Sequence, residues 1–266
     1  MLEDLRQSGS STASSDEEAA RRLKKAASKG DQSAECELGL LYAKGKGLAQ
    51  SNSEALKLFK RAAAQGNVPA QFHAGEMYEH GRGATQDIEE AVQWYRKAAE
   101  KCNVPAQCSL GLLFHRGRGV AQNYEEAARW YKLAAAQDNM PSVCNLGVLY
   151  QSGLGVEQSD AEAFECFKKA AERGVALAQY NLGSMYQSGH SVEESVADAL
   201  HWFEKAANLG DPNAQCNLGA YFEGGRGVTQ SYVEAARWYE KAAEEGNAQA
   251  QCNLGELYDR PGRRAE

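Results

Sequence analysis

Residues 103–135 read NVPAQCSLGLLFHRGRGVAQNYEEAARWYKLAA, and versions of this stretch return every 36 residues along the chain. Each version centres on a Leu-Gly pair (Ala-Gly in one copy) with an aromatic residue three positions after the glycine. The glycines of these cores are Gly39, Gly75, Gly111, Gly147, Gly183, Gly219 and Gly255. A fixed period of about 20–50 residues is typical of a solenoid, in which each repeat buries its apolar face against its neighbours. The repeat therefore predicts one elongated array rather than two ordinary domains.

The pattern within one repeat predicts two antiparallel helices. In the first half, Ala70, Ala74 and Met77 fall on one face of a helix, and Gly81 is a helix stop in the left-handed region. The second half opens with a capping residue followed three positions later by an acid. These pairs are Ser15/Glu18, Ser51/Glu54, Asp87/Glu90, Asn123/Glu126, Ser159/Glu162, Ser195/Asp198 and Ser231/Glu234.

Small residues predict where the helices approach one another closely. We expect Gly75 and its equivalents to leave room for a facing helix, because they carry no side chain. We expect the second helix to bury Ala91, Tyr95 and Ala98, with Trp94 at the seam between repeats. The alanines predicted to serve the same purpose as Ala91 are Ala55, Ala127, Ala163, Ala199 and Ala235.

The period also predicts where the array begins and ends. Residues 1–14 are polar and Ser-rich, which favours a disordered tail. A lone helix over 15–29 matches a second helix without its first, and its Arg and Lys residues suit a capping element that faces water. Six full repeats follow over 30–245, then a lone helix over 246–259 and a tail over 260–266.

Composition restricts the possible functions. The chain is 43% hydrophobic and 24% charged, as expected of a folded domain. Its net charge of −7 argues against a nucleic-acid partner, and no apolar run approaches the ~20 residues that would insert into a membrane. The N-terminus lacks the basic-then-apolar layout of a secretory signal, which predicts a cytoplasmic location.

The repeat resembles that of the Sel-1-like repeat family, a branch of the tetratricopeptide-type helical solenoids. The resemblance rests on Leu110-Gly111, Gly117, Gly119-Val120, Glu126-Ala127 and Trp130-Tyr131, and it extends over about residues 15–259. It implies an all-α, right-handed α-solenoid superhelix with a concave groove, used by adaptors that assemble protein complexes, with no shared catalytic residue. The sequence departs from the pattern at Leu58, Cys102, Asp138, Cys166 and Ser191, which puts local loop geometry in doubt.

One repeat position lies opposite the buried face of the first helix and holds five of the seven cysteines. Helices pack about 8–10 Å apart and a disulfide needs Cα atoms within about 7 Å, so we expect these thiols to stay free. We interpret them as small packing residues, with a stripe of reactive or metal-binding thiols as the alternative. The predicted partner-binding groove comprises Cys36, Leu40, Phe72, Glu76, Cys108, Leu112, His115, Cys144, Val148, Gln151, Tyr180, Ser184, Gln187, Cys216, Ala220 and Glu223.

The sequence thus predicts a non-enzymatic scaffold that presents this groove to a protein or peptide partner. It predicts no catalytic residue, no metal, no cofactor and no small-molecule substrate. The Gly-x-Gly loops follow helices, so we interpret them as turns and not as phosphate loops. Two alternatives stay open: an accessory subunit that activates a membrane-associated enzyme or degradation complex, and a β-lactamase-like hydrolase of the cysteine-rich relatives, which would require paired cysteines.

Overall fold

In the computed structural model of this protein, residues 2–259 are described, with side chains from residue 15 onward. This part of the chain is all helical and contains no strand. Its helices are α1 (Leu2–Ala27), α2 (Gln32–Lys44), α3 (Asn52–Ala64), α4 (Val68–Glu79), α5 (Ile88–Ala99), α6 (Val104–Arg116), α7 (Tyr124–Ala135), α8 (Met140–Ser152), α9 (Asp160–Glu172), α10 (Ala176–Ser188), α11 (Val196–Asn208), α12 (Pro212–Gly224), α13 (Tyr232–Glu244) and α14 (Ala248–Asp259).

The helices fall into two compact units, the first over residues 1–137 and the second over 138–266. The first unit contains α1 to α7 and the second contains α8 to α14. Within each unit, every helix packs against the helices that precede and follow it in the chain. The even-numbered helices are the first helices of the repeats and the odd-numbered ones are the second helices. The predicted all-α solenoid of helix pairs in series is confirmed.

Each second helix from α3 onward begins at its predicted capping residue. In α5, for example, Asp87 Oδ1 accepts the backbone N–H of Glu90 at 3.0 Å. The same bond to the N–H three residues on is made by Ser51, Asn123, Ser159, Ser195 and Ser231. Such a side-chain oxygen satisfies an N–H group that the helix itself leaves unpaired. The starts of these six helices were therefore predictable from sequence.

The two ends of the array differ from the internal repeats. Helix α1 extends N-terminal of Ser15, where the sequence predicts a helix start, because a Ser/Glu pair is compatible with a helix interior and no proline precedes it. The side chains of residues 1–14 lie outside the described residues, and the disordered tail stays a prediction. The tail over 260–266 also lies outside them. At the other end, α14 is a first helix with no second helix after it in the described chain.

Three residues that replace a repeat glycine keep the backbone conformation that glycine adopts elsewhere. Cys102, Asp138 and Ser191 have φ angles of 61°, 57° and 61°, in a region that costs a residue with a side chain roughly 1 kcal/mol or more. In the first of these turns, Asn103 N–H donates to the Ala98 carbonyl at 3.1 Å and Cys102 N–H to that of Ala99 at 3.0 Å. The same two bonds form at Gly66 and Asn67, so the departure at Cys102 leaves the geometry of its turn intact.

The glycines of the repeat cores lie against an aromatic ring of the second helix. A Cβ on Gly111 would lie 2.4 Å from the ring of Tyr131, far closer than real Cβ contacts. The same position at the end of the array, Gly255, has nothing within 4 Å of its notional Cβ. The predicted close approach is thus confirmed wherever a second helix follows. The predicted alanines are fully buried beside these rings: Ala55, Ala91, Ala127, Ala163, Ala199 and Ala235.

Candidate partner-binding face

The sixteen predicted groove residues lie on the first helices, and we call them the first-helix face. The first unit contributes its members on α2, α4 and α6, and the second unit contributes those on α8, α10 and α12. They occupy three repeat positions, represented by Cys36, Leu40 and His115. The structure places these three positions at different depths, which a helical wheel does not show.

The cysteine position lies deepest. Cys36, Cys144 and Cys216 are buried, whereas Cys108 and its aromatic counterparts Phe72 and Tyr180 are half-buried. Burial, helped by Glu37, raises the pKa of Cys36 to about 11, and burial followed by Cys166 raises that of Cys144 to about 12. A thiol with so high a pKa stays protonated and is a poor nucleophile or metal ligand. The burial of these thiols supports the interpretation that the cysteines are packing residues.

The second position keeps more accessible surface than the cysteine position. Leu40, Glu76, Leu112, Val148 and Ser184 are half-buried. Ala220, the remaining member, is exposed. In the first unit this position is therefore aliphatic at Leu40 and Leu112 and acidic at Glu76, and in the second unit it holds Val148, Ser184 and Ala220. Each of these side chains keeps surface that a partner could cover.

At the third position, the residue on the first helix corresponds to a buried aromatic residue sixteen positions later in the chain. Which residue stands on the first helix depends on whether that aromatic is tyrosine or phenylalanine. Where the aromatic is tyrosine, its hydroxyl meets a partner: Tyr95 donates to Glu79 Oε2 at 2.7 Å and Tyr239 to Glu223 Oε2 at 3.0 Å. The Tyr131 hydroxyl lies 3.3 Å from Nδ1 of His115. Where the aromatic is phenylalanine, at Phe59, Phe167 and Phe203, the first-helix residues are Ala43, Gln151 and Gln187.

These pairs have perturbed ionisation. Burial, followed by the charge of Glu79, raises the pKa of Tyr95 above its ordinary value. Burial, followed by the charge of Arg116, lowers the pKa of His115. The tyrosines therefore remain neutral hydroxyl donors, and His115 favours its neutral form. Arg118 Nη1 also reaches Glu79 Oε1, at 3.4 Å, so this carboxylate has two partners.

A small cavity opens on the first-helix face of the first unit, with a volume of about 250 Å³. Its lining residues are Leu40, Ala43, Lys44, Phe59, His73, Glu76, Met77 and Arg82. His73 Nδ1 lies 2.8 Å from Glu76 Oε2, and the His73 ring lies 5.2 Å from that of Phe59. Of the predicted site residues, this cavity brings together Leu40 and Glu76.

A fourth repeat position, absent from the sequence prediction, also belongs to this surface. It directly precedes the Leu-Gly core and is held by Glu37, His73 and Ser109 in the first unit. In the second unit it is asparagine in all four repeats: Asn145, Asn181, Asn217 and Asn253. The sequence shows these four asparagines at intervals of 36 residues, so the position could have been included in the predicted face.

The four asparagines differ in their partners. Asn253 accepts from Gln249 Nε2 at 2.8 Å, and its own Nδ2 lies 3.9 Å from Sγ of Cys216. Asn145, Asn181 and Asn217 are half-buried, and no hydrogen bond from their amides to another side chain or backbone group is formed within residues 15–259. We call these three the amide row. A half-buried amide without a protein partner is available to a ligand.

The described part of the chain contains neither a candidate metal cluster nor a membrane-spanning helix. Over residues 15–259, no group of three or more His, Cys, Asp or Glu side chains is placed to hold a metal ion. Within the same part of the chain, no helix combines the length and the apolar character needed to cross a bilayer. Each of the seven cysteines, all of which lie in this range, is free.

The chain matches the family model of the Sel1 repeat along most of its length. The model of the Sel1 repeat matches residues 32–67, 68–101, 104–139, 141–175, 176–211, 212–247 and 248–261. No curated protein matches the chain significantly.

Two solved structures resemble it along most of its length. One is c5321 of uropathogenic Escherichia coli, a protective antigen with an SLR fold, at 36% identity and a TM-score of 0.83 over 91% of this chain. This chain spans 52% of that protein. The other is a Sel1 repeat protein from Oxalobacter formigenes, at 34% identity and a TM-score of 0.73, covering 81% of this chain and 89% of that one.

Proposed function

This chain belongs to the Sel1 repeat family, and from this premise we propose that its first-helix face binds an extended peptide segment of a protein partner without catalysing a reaction. Sel1 repeat proteins are generally protein-interaction scaffolds, and solenoids of this fold are typically non-catalytic. The observation that carries the proposal is the amide row of the second unit. Its three side chains are accessible, unpartnered and repeated at the period of the fold.

The spacing of the amide row suits an extended chain. Asn253 Nδ2 on α14 lies 3.9 Å from Sγ of Cys216 on α12, and we take successive first helices of this unit to lie about 10 Å apart, the upper end for helices whose side chains touch. A polyproline II segment has three residues per turn and rises about 3.1 Å per residue, so equivalent groups recur about every 9 Å. One asparagine can therefore meet every third residue of such a segment.

The chemistry of the row suits a peptide backbone. An asparagine amide offers an acceptor oxygen and an NH₂ donor, which match the N–H and C=O groups of a peptide bond. A polyproline II segment makes no internal hydrogen bonds, so its backbone groups are free to pair. The neighbouring half-buried Val148 and Ser184 then contact its side chains. Recognition of this kind tolerates many sequences, because most of the polar contacts go to the main chain.

The alternative functions have less support. An accessory subunit of a membrane-associated enzyme or degradation complex would use the same face, and no described feature favours it over a free-standing adaptor. The β-lactamase-like alternative requires paired cysteines, whereas each cysteine of this chain is free. We therefore keep the adaptor proposal alone.

The test is selection of peptides from a random phage-displayed library on the purified protein. The double variant Leu112→Glu with Val148→Glu places two charges on the first-helix face, and we expect it to lose capture of the selected peptides by about tenfold or more. The matched control is Leu133→Glu with Val233→Glu, which changes a leucine and a valine that are 43% and 54% exposed on second helices. Circular dichroism should show unchanged helix content in both. Retained capture by the Leu112/Val148 variant would refute the assignment of this face.

A further inference from the structure

The cavity of the first unit combines an apolar floor with cationic groups. Leu40, Phe59 and Met77 supply its apolar surface, and Phe59 and Met77 are only 2% and 3% exposed. Lys44 and Arg82 also line it and are exposed to solvent. Glu76 is held by the hydrogen bond with His73.

The two cations have no carboxylate of their own. Within residues 15–259, no ion pair joins Lys44 or Arg82 to an acid. Lys46 and Arg118 hold the same repeat position as Arg82, and each has an acid nearby: Asp16 for Lys46 and Glu79 for Arg118. The cavity therefore carries two cations without an ion-pair partner and one carboxylate, Glu76, whose partner His73 is a cation only when it is protonated. This balance favours a ligand with a negative charge next to an apolar group.

A small residue lies at the cavity where the other repeats carry a longer side chain. Ala43 lines it, and the same repeat position holds Glu79, His115, Gln151, Gln187 and Glu223 in later repeats. A longer side chain there would occupy the space. Cations recur at each of these two repeat positions, but the combination of two is specific to this place. The same pair of positions holds His80 with Arg118, Arg116 with Leu154, Ser152 with His190 and Ser188 with Arg226 elsewhere.

We propose that this cavity binds the C-terminal residue of a peptide, with its apolar side chain on the Leu40–Phe59–Met77 floor and its carboxylate between Lys44 and Arg82. A volume of about 250 Å³ is below the roughly 300–1,000 Å³ of a drug-sized site but admits one side chain. A C-terminal apolar residue carries its carboxylate beside an apolar side chain. An aspartate or glutamate side chain instead carries its carboxylate at the tip, so it has no apolar group to contact Leu40, Phe59 and Met77. The inference rests on the proposed function, because it gives the first-helix face a place where a bound peptide ends.

The test uses the full chain labelled with ¹³C at its methionine methyl groups. Met77 lies in the cavity, and Met185 holds the same repeat position in the second unit, so one spectrum contains the probe and its control. Three compounds are titrated in the millimolar range: N-acetyl-leucine, N-acetyl-leucinamide and N-acetyl-glutamic acid α-amide. We expect N-acetyl-leucine to shift the Met77 signal and to bind about three- to tenfold more tightly than the other two, as expected for two exposed ion pairs. The Met185 signal should not move.

Two sets of variants separate the contributions. Ala43→Gln, which introduces the residue found at this position in two other repeats, should abolish the response of Met77 while the spectrum stays folded. Lys44→Gln with Arg82→Gln should reduce N-acetyl-leucine to the affinity of the amide, whereas Lys168→Gln with Arg226→Gln removes the same charge elsewhere and should change nothing.

Several outcomes would overturn the inference. Equal binding of the amide would show an apolar cavity without carboxylate recognition, and equal binding of the glutamate derivative would show an acidic side-chain site. Equal shifts of Met77 and Met185, or no shift at all, would show that the cavity is not a specific site. Any of these results leaves the peptide selection on the first-helix face intact, so the two proposals fail separately.

Discussion

In the first unit, the position before each repeat core is held by Glu37, His73 and Ser109, whereas in the second unit it is asparagine every time. The buried positions show no such contrast, since the alanines beside the second-helix aromatics are fully buried in both units. The difference shows that close packing between helices restricts the buried alanine positions, whereas the position before each repeat core can differ between the units. The first unit thus presents a carboxylate, an imidazole and a hydroxyl at this position, and the second presents amides.

The third face position shows a weaker contrast, because the first unit also has one phenylalanine, Phe59, which corresponds to Ala43. In the first unit, Tyr95 and Tyr131 meet Glu79 and His115. In the second unit, two of the corresponding aromatics are phenylalanine and only Tyr239 has an acidic partner, Glu223. A buried hydroxyl needs a hydrogen-bond partner, so the identity of a core residue constrains a residue on the face. Three sets of variants test which differences between the units matter.

The largest effect should come from the position that both units share. Gly111→Leu in the first unit and Gly147→Leu in the second force a side chain into the ring of the facing aromatic, as the 2.4 Å and 2.8 Å approaches of a notional Cβ indicate. We expect each to lower the free energy of unfolding by about 1–3 kcal/mol from overpacking. Urea unfolding followed by circular dichroism measures it. Gly255→Leu, at the same repeat position but facing open space, is the control and should not destabilise the protein. Equal losses in all three variants would contradict the packing explanation.

A smaller effect should follow from removing a tyrosine hydroxyl. Tyr95→Phe and Tyr239→Phe each lose a part-buried hydrogen bond to a glutamate. We expect a loss of about 1.5 kcal/mol in the free energy of unfolding, at the lower end of the range for a charged acceptor because the pairs are only partly buried. Tyr131→Phe, whose hydroxyl lies 3.3 Å from His115, should lose less than Tyr95→Phe. The same urea experiment compares them. If Tyr131→Phe were the most destabilising of the three, the proposed dependence on acceptor charge would be wrong.

The smallest effect should be a pH dependence confined to the first unit. Burial and Arg116 lower the pKa of His115 in the folded state, so the unfolded chain takes up the proton first as pH falls through about 6.5. The free energy of unfolding should therefore decrease from pH 7 downward and level off once folded His115 is also protonated.

His115→Gln, which introduces the residue that the second unit carries at Gln151 and Gln187, should remove that part of the slope between pH 7 and pH 5.5. The readout is the urea midpoint at each pH, and His201→Gln, an exposed histidine of the second unit, is the control. An unchanged slope in His115→Gln would show that this imidazole does not couple to stability.

Much of the fold was predictable because its signals are local. The capping residue of each second helix, such as Asp87, bonds to an N–H only three residues away. The left-handed glycines act on their own turn. The Leu-Gly core acts over twenty residues, yet the 36-residue period repeats it so often that the contact between Gly111 and Tyr131 could be anticipated.

The candidate site was less predictable because it depends on depth. A helical wheel assigns Cys36 and Leu40 to one side of α2, but only the packed structure shows that Cys36 is buried while Leu40 keeps accessible surface. The cavity beside Leu40 depends on the shortness of Ala43 and on groups from α2, α3 and α4 and the loop after α4. No spacing within one repeat encodes that combination.

By itself, the sequence determined the repeating helix pairs, their starts and stops, and the glycines that let them approach, because each of these follows from bonds or contacts that recur at a fixed interval along the chain. The tertiary structure alone decided which side chains of the first-helix face are accessible, which tyrosine hydroxyls find a partner, and where a cavity opens. Those features depend on the lengths of side chains that meet across different helices, and a linear period does not record them.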